Sequence, residues 1–380
     1  MSMKNVYITK SAKFLPNEPI SNEEMGEVLG ILEGSSKVKA IILRNNGILN
    51  RHYAIDKNGN ITHSNAEVTF EAIKGLTDEN FKMDDIELLS VGTSSPDQNM
   101  PSHAAMVHGL MKSRPIEINS SAGICSAGMS ALKYAYMSVK SNMTKNAVAA
   151  GSERISTWLY SNKFENELET VRKLNEKPVL AFEKEFLRWM LSDGSGAFLL
   201  ENEPNKNSKF NLKIEWMESM SFAGKLDVCM YAAADKLEDG TLNSWSHYSS
   251  KEWGEQSIFS IKQDVKLLDK HIIEKGVQSL KAAIEKNNLN AEEIDHFLPH
   301  ISSFYFRDKL LVGLQEQGVN ISEDKLFTNL DRVGNVGAGS IYLMLEELMN
   351  KKDIKKGEKI LLSVPESGRF NFAYALLTVE

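Results

Sequence analysis

Three residues whose side chains can do chemistry stand at the ends of repeated strand-helix units along the chain: Cys125, His300 and Asn335. Cys125 lies among small residues in "AGICSAGMSAL", His300 ends the apolar run "FLPH", and Asn335 lies among glycines in "DRVGNVGAGS". A thiol with a histidine and an asparagine is a set that can transfer an acyl group through a covalent thioester. Together they predict an acyl-transfer site, although each residue alone fits an ordinary buried or turn position.

The sequence after Cys125 predicts a helix that begins at this residue. Apolar side chains recur there at intervals of three and four, as on one buried helix face: Met129, Leu132, Tyr136 and Val139. At a helix N-terminus, the unpaired N–H groups and the helix dipole stabilise a thiolate. We therefore expect a lowered pKa for the Cys125 thiol and a nucleophile near neutral pH.

From about residue 85, apolar runs alternate with stretches of helical periodicity, which predicts an α/β protein with a mostly buried sheet. The first part runs through "IELLSVGT", "SHAAMVHGLM", "PIEINSS" and "AVAAGSE". The second part repeats the order loosely with "IDHFLPH", "SFYFRDKLLVGLQEQG", "GAGSIYLMLEELM" and "KILLSVPESG". In a duplication, Gly334-Asn335 is the counterpart of Ile124-Cys125. We expect one half at 1–190 with the cysteine, including a helical insertion at about 157–190, and another at 191–380 with the histidine and asparagine.

Two early segments have the pattern of a capping box, Ser21 to Glu24 and Ser64 to Glu67. They predict helices that begin at roughly residues 22 and 65. Between them, the Asn-Gly pairs in "NNGI" and "DKNGN" favour turns beside short apolar runs. We therefore expect extended structure and loops in this interval.

The composition limits the class of function. The chain has 380 residues, a formal net charge of −7 and a pI near 5.8, which disfavours a nucleic-acid groove or an anionic membrane surface. Its two cysteines, Cys125 and Cys229, are too few for a disulfide framework, and no metal-binding spacing is found. Neither a signal peptide nor a membrane span is found. We expect a cytoplasmic protein without a metal whose partners are small molecules or proteins.

Seven segments in order resemble the signatures of β-ketoacyl-acyl-carrier-protein synthase III, within the thiolase superfamily of condensing enzymes. They are "TSSPDQNMPSHAAMVHG", "INSSAGICSAGMSALKYAYMSVKSN", "AVAAGSE", "LSDGSGAFLLE", "IDHFLPH", "VGNVGAGSI" and "ILLSVPESGRFNFAYALL". A further segment, "RNNGILNRHYAI", extends the similarity to about residue 44. The resemblance implies a thiolase-like, five-layered αβαβα fold built from two duplicated halves, and a homodimer.

The same resemblance implies a role for each candidate residue. Cys125 would accept an acyl group as a thioester, while His300 and Asn335 would hydrogen-bond the thioester oxygen of a second substrate as its enolate forms. The backbone N–H groups of Cys125 and Gly368 would form an oxyanion hole. Acyl groups would arrive as thioesters of an acyl carrier protein or coenzyme A, and no other cofactor is implied.

The chain also departs from the pattern of that family. His300 is followed by Ile301-Ser302-Ser303, where Gln-Ala-Asn is common. Ile41 and Asn45 replace a tryptophan and an arginine that grip the adenine of coenzyme A in many members, which favours a carrier-protein donor. Met100 stands where a related branch that starts long-chain olefin synthesis places a glutamate base, and is a candidate for the substrate tunnel.

The amino-terminal pattern "VYITKSAKFLPNEPISNEEM" is similar to condensing enzymes of dialkylresorcinol and flexirubin-type pigment pathways. These join a β-ketoacyl thioester to a second acyl chain. Decarboxylative condensation of a malonyl-carrier protein and acyl transfer to oxygen or nitrogen remain open. A non-catalytic partner subunit is the non-enzyme alternative, which the joint retention of Cys125, His300 and Asn335 disfavours. The insertion at about 157–190 would either line an acyl tunnel or pack at a dimer interface.

Overall fold

The computed structural model describes residues 3–30, 36–161, 187–256, 258–351 and 353–380. Its helices are α1 (Met25–Leu29), α2 (Ser36–Asn46), α3 (Asn65–Lys74), α4 (His103–Met111), α5 (Ser126–Lys140), α6 (Ser156–Leu159), α7 (Ser250–Glu255), α8 (Val265–Lys286), α9 (Arg307–Glu316), α10 (Leu330–Val333) and α11 (Ser340–Lys351). Its strands are β1 (Tyr7–Phe14), β2 (Ile20–Ser21), β3 (Asn50–Arg51), β4 (Leu88–Thr93), β5 (Glu117–Ala122), β6 (Asn146–Glu153), β7 (Gly194–Glu201), β8 (Leu212–Ser221), β9 (Met230–Tyr231), β10 (Ala234–Lys236), β11 (Leu242–Ser244), β12 (Lys262–Gln263), β13 (His296–Pro299), β14 (Lys359–Glu366) and β15 (Asn371–Val379).

The large sheet repeats one strand order twice. Its order is β5-β4-β6-β7-β1-β8-β15-β14-β13, and the two groups join where β1 pairs with β8. Outward from that joint, each group has two antiparallel pairings followed by a parallel one. Beyond β13, an isolated parallel bridge between Phe297 and Leu326 takes the place that β5 holds in the first group. The topology thus has the internal repeat that the order of motifs indicates.

The pairing of strand β7 indicates where the boundary between the two halves lies. It pairs with β1 and β6, both in the first group. The sequence-based division at 190/191 assigns β7 to the second half and so separates it from both neighbours. The strand pairing instead puts the change between β7 and β8.

Side chains alternate between two faces of each strand, and this alternation builds the layers. In β6, Ala147 and Ala149 face a core shared with α5 and α11, whereas Val148 and Ala150 face α3 and α4. In the second group, inward side chains reach the same shared core, and Leu361 faces the opposite way, toward α8 and α9. Helices α5 and α11 therefore lie between the two groups of strands, giving the expected five layers.

The two central helices make a close contact. The Tyr342 hydroxyl of α11 donates to the Gly128 carbonyl of α5 at 2.8 Å. A Cβ atom at Gly128 would lie 2.2 Å from the Ala338 carbonyl oxygen, so only glycine permits this approach. The position of α5, and of Cys125 at its start, is thus set by packing against the second half.

The early helices differ in part from the sequence-based expectation. Helix α3 begins as predicted, with the reciprocal capping bonds between Ser64 and Glu67. Ser21 and Glu24 also exchange backbone-to-side-chain bonds, but α1 begins only at Met25. The expectation of loops between them is wrong for α2, where Ile42 is buried and Ile41 exposed, as on a helix with one packed face.

Most of the predicted insertion, residues 162–186, lies outside the described residues. Among the helices within the described ranges, none combines the length and apolar character that crossing a membrane requires.

Candidate active site

Two apolar cavities meet at Cys125. One is also lined by His300, and the other by Asn335. The cavities share Leu268, Ser302 and Ser367 among their walls. Their volumes are about 60 and 50 Å³. The fold therefore brings together three residues that are far apart in the sequence.

Cys125 is the N-cap residue of α5, as the sequence predicts. The expected lowering of its pKa is wrong, because the structure raises it. Burial of the thiol is the largest cause, and the carboxylates of Glu366 and Glu153 add to it. The residue as a whole is half-buried. Cys125 is thus a neutral thiol in this structure, despite its place at a helix N-terminus.

Glu366 already occupies the N-terminus of α5. Its Oε2 atom accepts hydrogen bonds from the amides of Ile124 at 3.0 Å and Ser126 at 3.1 Å. The Ser126 hydroxyl donates to the same oxygen. The favourable electrostatics of the helix start therefore act on a carboxylate rather than on the thiol.

His300 follows the last residue of β13, and its amide continues the pairing by donating to the Ser363 carbonyl at 2.8 Å. The side chain is buried, and its Nε2 atom has no hydrogen-bond partner in the described part of the chain. Burial lowers the pKa of His300 to about 4. The imidazole is therefore neutral near neutral pH and has a nitrogen available for a bound group.

Asn335 lies in a tight loop between α10 and α11. Gly334 has φ +74°, and a Cβ atom there would lie 2.8 Å from Cβ of Ser192. The Asn335 Oδ1 atom accepts from the Gly337 amide at 3.0 Å, and its backbone carbonyl accepts from Ser192 at 2.9 Å. Among the residues that the structure describes, the Nδ2 group of Asn335 has no partner. The loop thus holds an amide donor at the cavity.

Gly368 abuts the turn that carries Cys125. A Cβ atom at Gly368 would lie 2.9 Å from Cδ1 of Ile124, so the two residues are closely packed. Its carbonyl accepts from the amides of Cys229 and Met230. Within the described ranges, the amides of Gly368 and Cys125 donate no hydrogen bond to another residue. Two unpaired N–H groups beside the thiol are what an oxyanion hole needs.

The sequence of this chain is similar to those of known enzymes. A family profile described as 3-oxoacyl-(acyl-carrier-protein) synthase III, C-terminal, matches residues 284–375. The β-ketoacyl-(acyl-carrier-protein) synthase III of Clostridium novyi is 24% identical over 95% of this chain and 95% of its own. The enzyme of that name from Rickettsia prowazekii is 25% identical over 95% of this chain and 96% of its own. These similarities support an enzyme of the β-ketoacyl synthase III-like, condensing type.

Solved structures show that this condensing enzyme has a thiolase-like fold. AbyA1, described as a tetronic acid condensing enzyme, has a TM-score of 0.74 at 16% identity, covering 98% of this chain and 99% of its own. Xanthomonas campestris OleA, solved with lauric acid and lauroyl-CoA, also has a TM-score of 0.74, at 18% identity over 99% of each chain. As an enzyme, the protein is an acyltransferase of this condensing type.

The structure does not support a tunnel role for Met100 within its own chain. Met100 is 85% exposed and lines neither cavity at Cys125. It belongs to the loop between β4 and α4, which carries the side chain to the surface rather than toward the thiol.

The positions that the resemblance relates to coenzyme A lie on α2. Asn45 is exposed and lines a third cavity, together with Lys266 and Tyr305. This cavity shares Leu268 and Phe306 with the one that holds His300. Ile41 is 46% exposed. The cavity at α2 is thus adjacent to the one that holds Cys125 and His300.

Part of the predicted insertion reaches the site. Leu187 and Met190, at its carboxyl end, line the cavity that holds Asn335. This end of the segment thus forms part of a cavity wall, whereas the stretch 162–186 lies outside the described residues.

Sequence reasoning missed Glu366 and Glu153, the two carboxylates that act on the thiol. Both end buried apolar strands, in "KILLSVPE" and "AVAAGSE". A charged residue at the end of such a strand was the available signal, because a buried carboxylate needs donors nearby. Nothing local, however, identifies Ile124 and Ser126 as those donors.

Proposed function

We propose that this condensing enzyme joins a β-ketoacyl thioester to a second acyl chain by Claisen condensation, in the biosynthesis of dialkylresorcinol-type secondary metabolites. The observation that carries the proposal is the meeting of two apolar cavities at one thiol. Condensation with a malonyl group needs space for one long chain, whereas joining two chains needs space for two. Met190 and Met230 in the walls supply side chains that can adapt to an entering chain.

In the first half-reaction, Cys125 receives the acyl group. The Cys125 S–H bond and the C–S bond of the donor break, a new C–S bond forms, and the proton ends on the donor as a free thiol. The amides of Cys125 and Gly368 stabilise the negative oxygen of the tetrahedral intermediate.

In the second half-reaction, His300 and Asn335 donate hydrogen bonds to the thioester oxygen of the β-ketoacyl substrate. A neutral imidazole and a side-chain amide are both suitable donors to an enolate oxygen. The methylene between the two carbonyl groups loses a proton, and its carbon forms the new C–C bond. The C–S bond to Cys125 breaks, and its sulfur takes up a proton. The cycle balances without a cofactor or metal.

An acyl carrier protein is the proposed donor of the acyl groups. The third cavity, at Asn45 and Lys266, provides an entrance near the surface for a thioester arm. Asn45 offers no positive charge for the phosphates of coenzyme A, and exposed Lys266 offers one for an acidic carrier surface.

Decarboxylative condensation is the second candidate function. It is favoured by the names of the relatives, which are β-ketoacyl-(acyl-carrier-protein) synthases III. The same Cys125, His300 and Asn335 would serve, but carbon dioxide would be released and one substrate would be a malonyl thioester.

Intact mass and product analysis test the proposal. Wild type, Cys125→Ala and the control Cys229→Ala are each incubated with a medium-chain acyl-carrier thioester and then with a β-ketoacyl thioester. We expect one acyl adduct on wild type and on Cys229→Ala, none on Cys125→Ala, and a product containing both chains. An acyl adduct on Cys125→Ala would show that Cys125 is not the nucleophile. If product formed only when a malonyl thioester was supplied, and carbon dioxide was released, the second candidate function would replace the proposal.

We also propose a homodimer. Strand β5 is at the end of the sheet and pairs, among the described residues, only with β4. Exposed apolar side chains lie on this strand and on the neighbouring helix α4: Ile118 of β5 is 38% exposed, and Met106 of α4 is 37% exposed. An open strand edge of this kind is a ready surface for a second copy. Sedimentation equilibrium should give twice the chain mass, and a monomer at micromolar concentration would contradict the proposal.

A further inference from the structure

Glu366 and Glu153 hold equivalent places in the two halves. Glu153 ends β6 and Glu366 ends β14, the corresponding strand of the second group. Glu153 accepts from the Ala338 amide, just before α11, at 3.2 Å. Glu366 does the same for α5 through Ile124 and Ser126. Each half thus caps the central helix of the other, but only at α5 does the capped turn carry a nucleophile.

The hydrogen bonds of Glu366 enclose the backbone of Cys125. The amides on both sides of the cysteine donate to Oε2 of Glu366, whereas the Cys125 amide donates no hydrogen bond to another residue in the described ranges. Ser126 is fixed further, because its hydroxyl accepts from Nδ2 of Asn371 at 2.8 Å. Asn371 is the residue paired with Glu366 across β14 and β15. The turn that carries the thiol is therefore held by the second half.

We propose that Glu366 is a positioning residue for Cys125: it fixes the turn that carries the nucleophile and holds the thiol neutral until an acyl thioester binds. This inference rests on the proposed role of Cys125 as acyl acceptor. A neutral thiol reacts slowly with stray electrophiles. Cys125 would then react mainly with a thioester whose oxygen lies against the Cys125 and Gly368 amides.

The other titratable groups around Cys125 leave Glu366 as the dominant charge. His300 and Tyr374 line one cavity; burial lowers the pKa of His300 to about 4 and raises that of Tyr374, so both are neutral near neutral pH. Glu153 lines the other cavity, and burial raises its pKa. Of the described residues that line these two cavities, none is a lysine or arginine. After burial itself, Glu366 contributes most to the raised pKa of Cys125.

The test follows the alkylation of Cys125 by iodoacetamide across pH, read by peptide mass in a Cys229→Ser background. For the wild type, we expect the rate to keep rising well above neutral pH. Glu366→Gln keeps the shape of the side chain but removes its charge, so the profile should move to lower pH. One unit of thiol pKa changes the thiolate fraction about tenfold, so alkylation near neutral pH should be at least about tenfold faster. Ser126→Ala, which removes one donor but keeps the charge, should follow the wild-type profile.

Two results would overturn the inference. One is a wild-type profile that reaches its plateau at or below neutral pH, which requires no variant. The other is a Glu366→Gln profile that coincides with the wild type while its unfolding midpoint shows a folded protein. If Glu366→Gln does not fold, Glu366→Asp replaces it and should keep the wild-type profile; a shift to lower pH would count against the inference. The alkylation experiment uses no acyl donor. A failure of the proposed condensation would therefore appear only in the intact-mass experiment, and the two failures can be told apart.

Discussion

His300 and Cys125 line the same cavity, and the buried Nε2 atom of His300 has no hydrogen-bond partner in the part of the chain that the structure describes. A buried polar atom without a partner is costly unless a ligand completes it. In the proposed reaction, the two residues have separate tasks: the thiol forms the covalent bond, and the imidazole donates a hydrogen bond to the thioester oxygen of the second substrate.

Replacing His300 should impair condensation more than acylation. In His300→Ala, the hydrogen bond to the second thioester oxygen is lost, and removal of one such donor lowers kcat by about 10²–10³-fold. The adduct on Cys125 should still form, and intact mass measures it beside product formation in one time course. Asn335→Asp tests the partner donor, because it keeps the oxygen that accepts from Gly337 but loses the amide donor. Equal loss of adduct and product in both variants would contradict separate roles.

The buried histidines should make stability depend on pH. Burial lowers the pKa of His103 and His300 to about 4, from 6.5. The unfolded chain therefore binds more protons than the folded one between these values, so the free energy of unfolding falls as pH falls through this window. Each histidine contributes up to about 1.4 kcal/mol per pH unit.

Urea unfolding of His103→Gln and of the exposed control His247→Gln measures this dependence. Glutamine can keep bonds to Thr69 and Ser152, which contact the His103 ring. We expect a shallower decline for His103→Gln than for wild type between about pH 6.5 and about pH 4, and no change of slope for the control. An unchanged slope in His103→Gln would show that this histidine binds a proton equally in both states.

Narrowing each of the two cavities should shorten a different one of the two acyl chains in the product. Ile273 lines the cavity with His300, and Met230 lines the cavity with Asn335; both are half-buried. Ile273→Phe and Met230→Phe each narrow one cavity, at a cost in folding free energy of about 1–3 kcal/mol. With mixed chain lengths supplied, each variant should shorten one of the two chains, and mass spectra identify which. If both variants shortened the same chain, the cavities would serve one substrate.

Lys266 should matter for donors delivered by a carrier protein. It is exposed at the third cavity, and reversing a charge at the rim of an interface changes mainly the association rate. Lys266→Glu should slow acylation from an acyl carrier protein about fivefold to tenfold at low salt and less at high salt. Lys251→Glu, at an exposed lysine that lines none of the three cavities, is the matched control. Equal slowing by both substitutions would exclude a docking role for this rim.

Local patterns in the sequence were enough for several features of the structure. The spacing of apolar residues after Cys125 indicates α5 and its start, and the Ser64–Glu67 pair indicates the start of α3. The order of runs indicates the repeated strand order, since each run reflects burial of one strand or helix face. The resemblance in turn anticipated the thiolase-like fold. These features depend on residues within a few positions of one another or on motifs in a fixed order.

Only the tertiary structure decided the chemistry of the thiol. The sequence shows Cys125 at a helix N-terminus and so predicts a lowered pKa. The fold instead buries the thiol and brings Glu366 to the same amides, and both effects raise the pKa of Cys125. In the same way, the loop that carries Met100 lies at the surface, and Ile42 is buried on a helix rather than a strand. A pKa depends on burial and on charges a few ångströms away, and the packing of β14 against α5 supplies both from the far end of the chain.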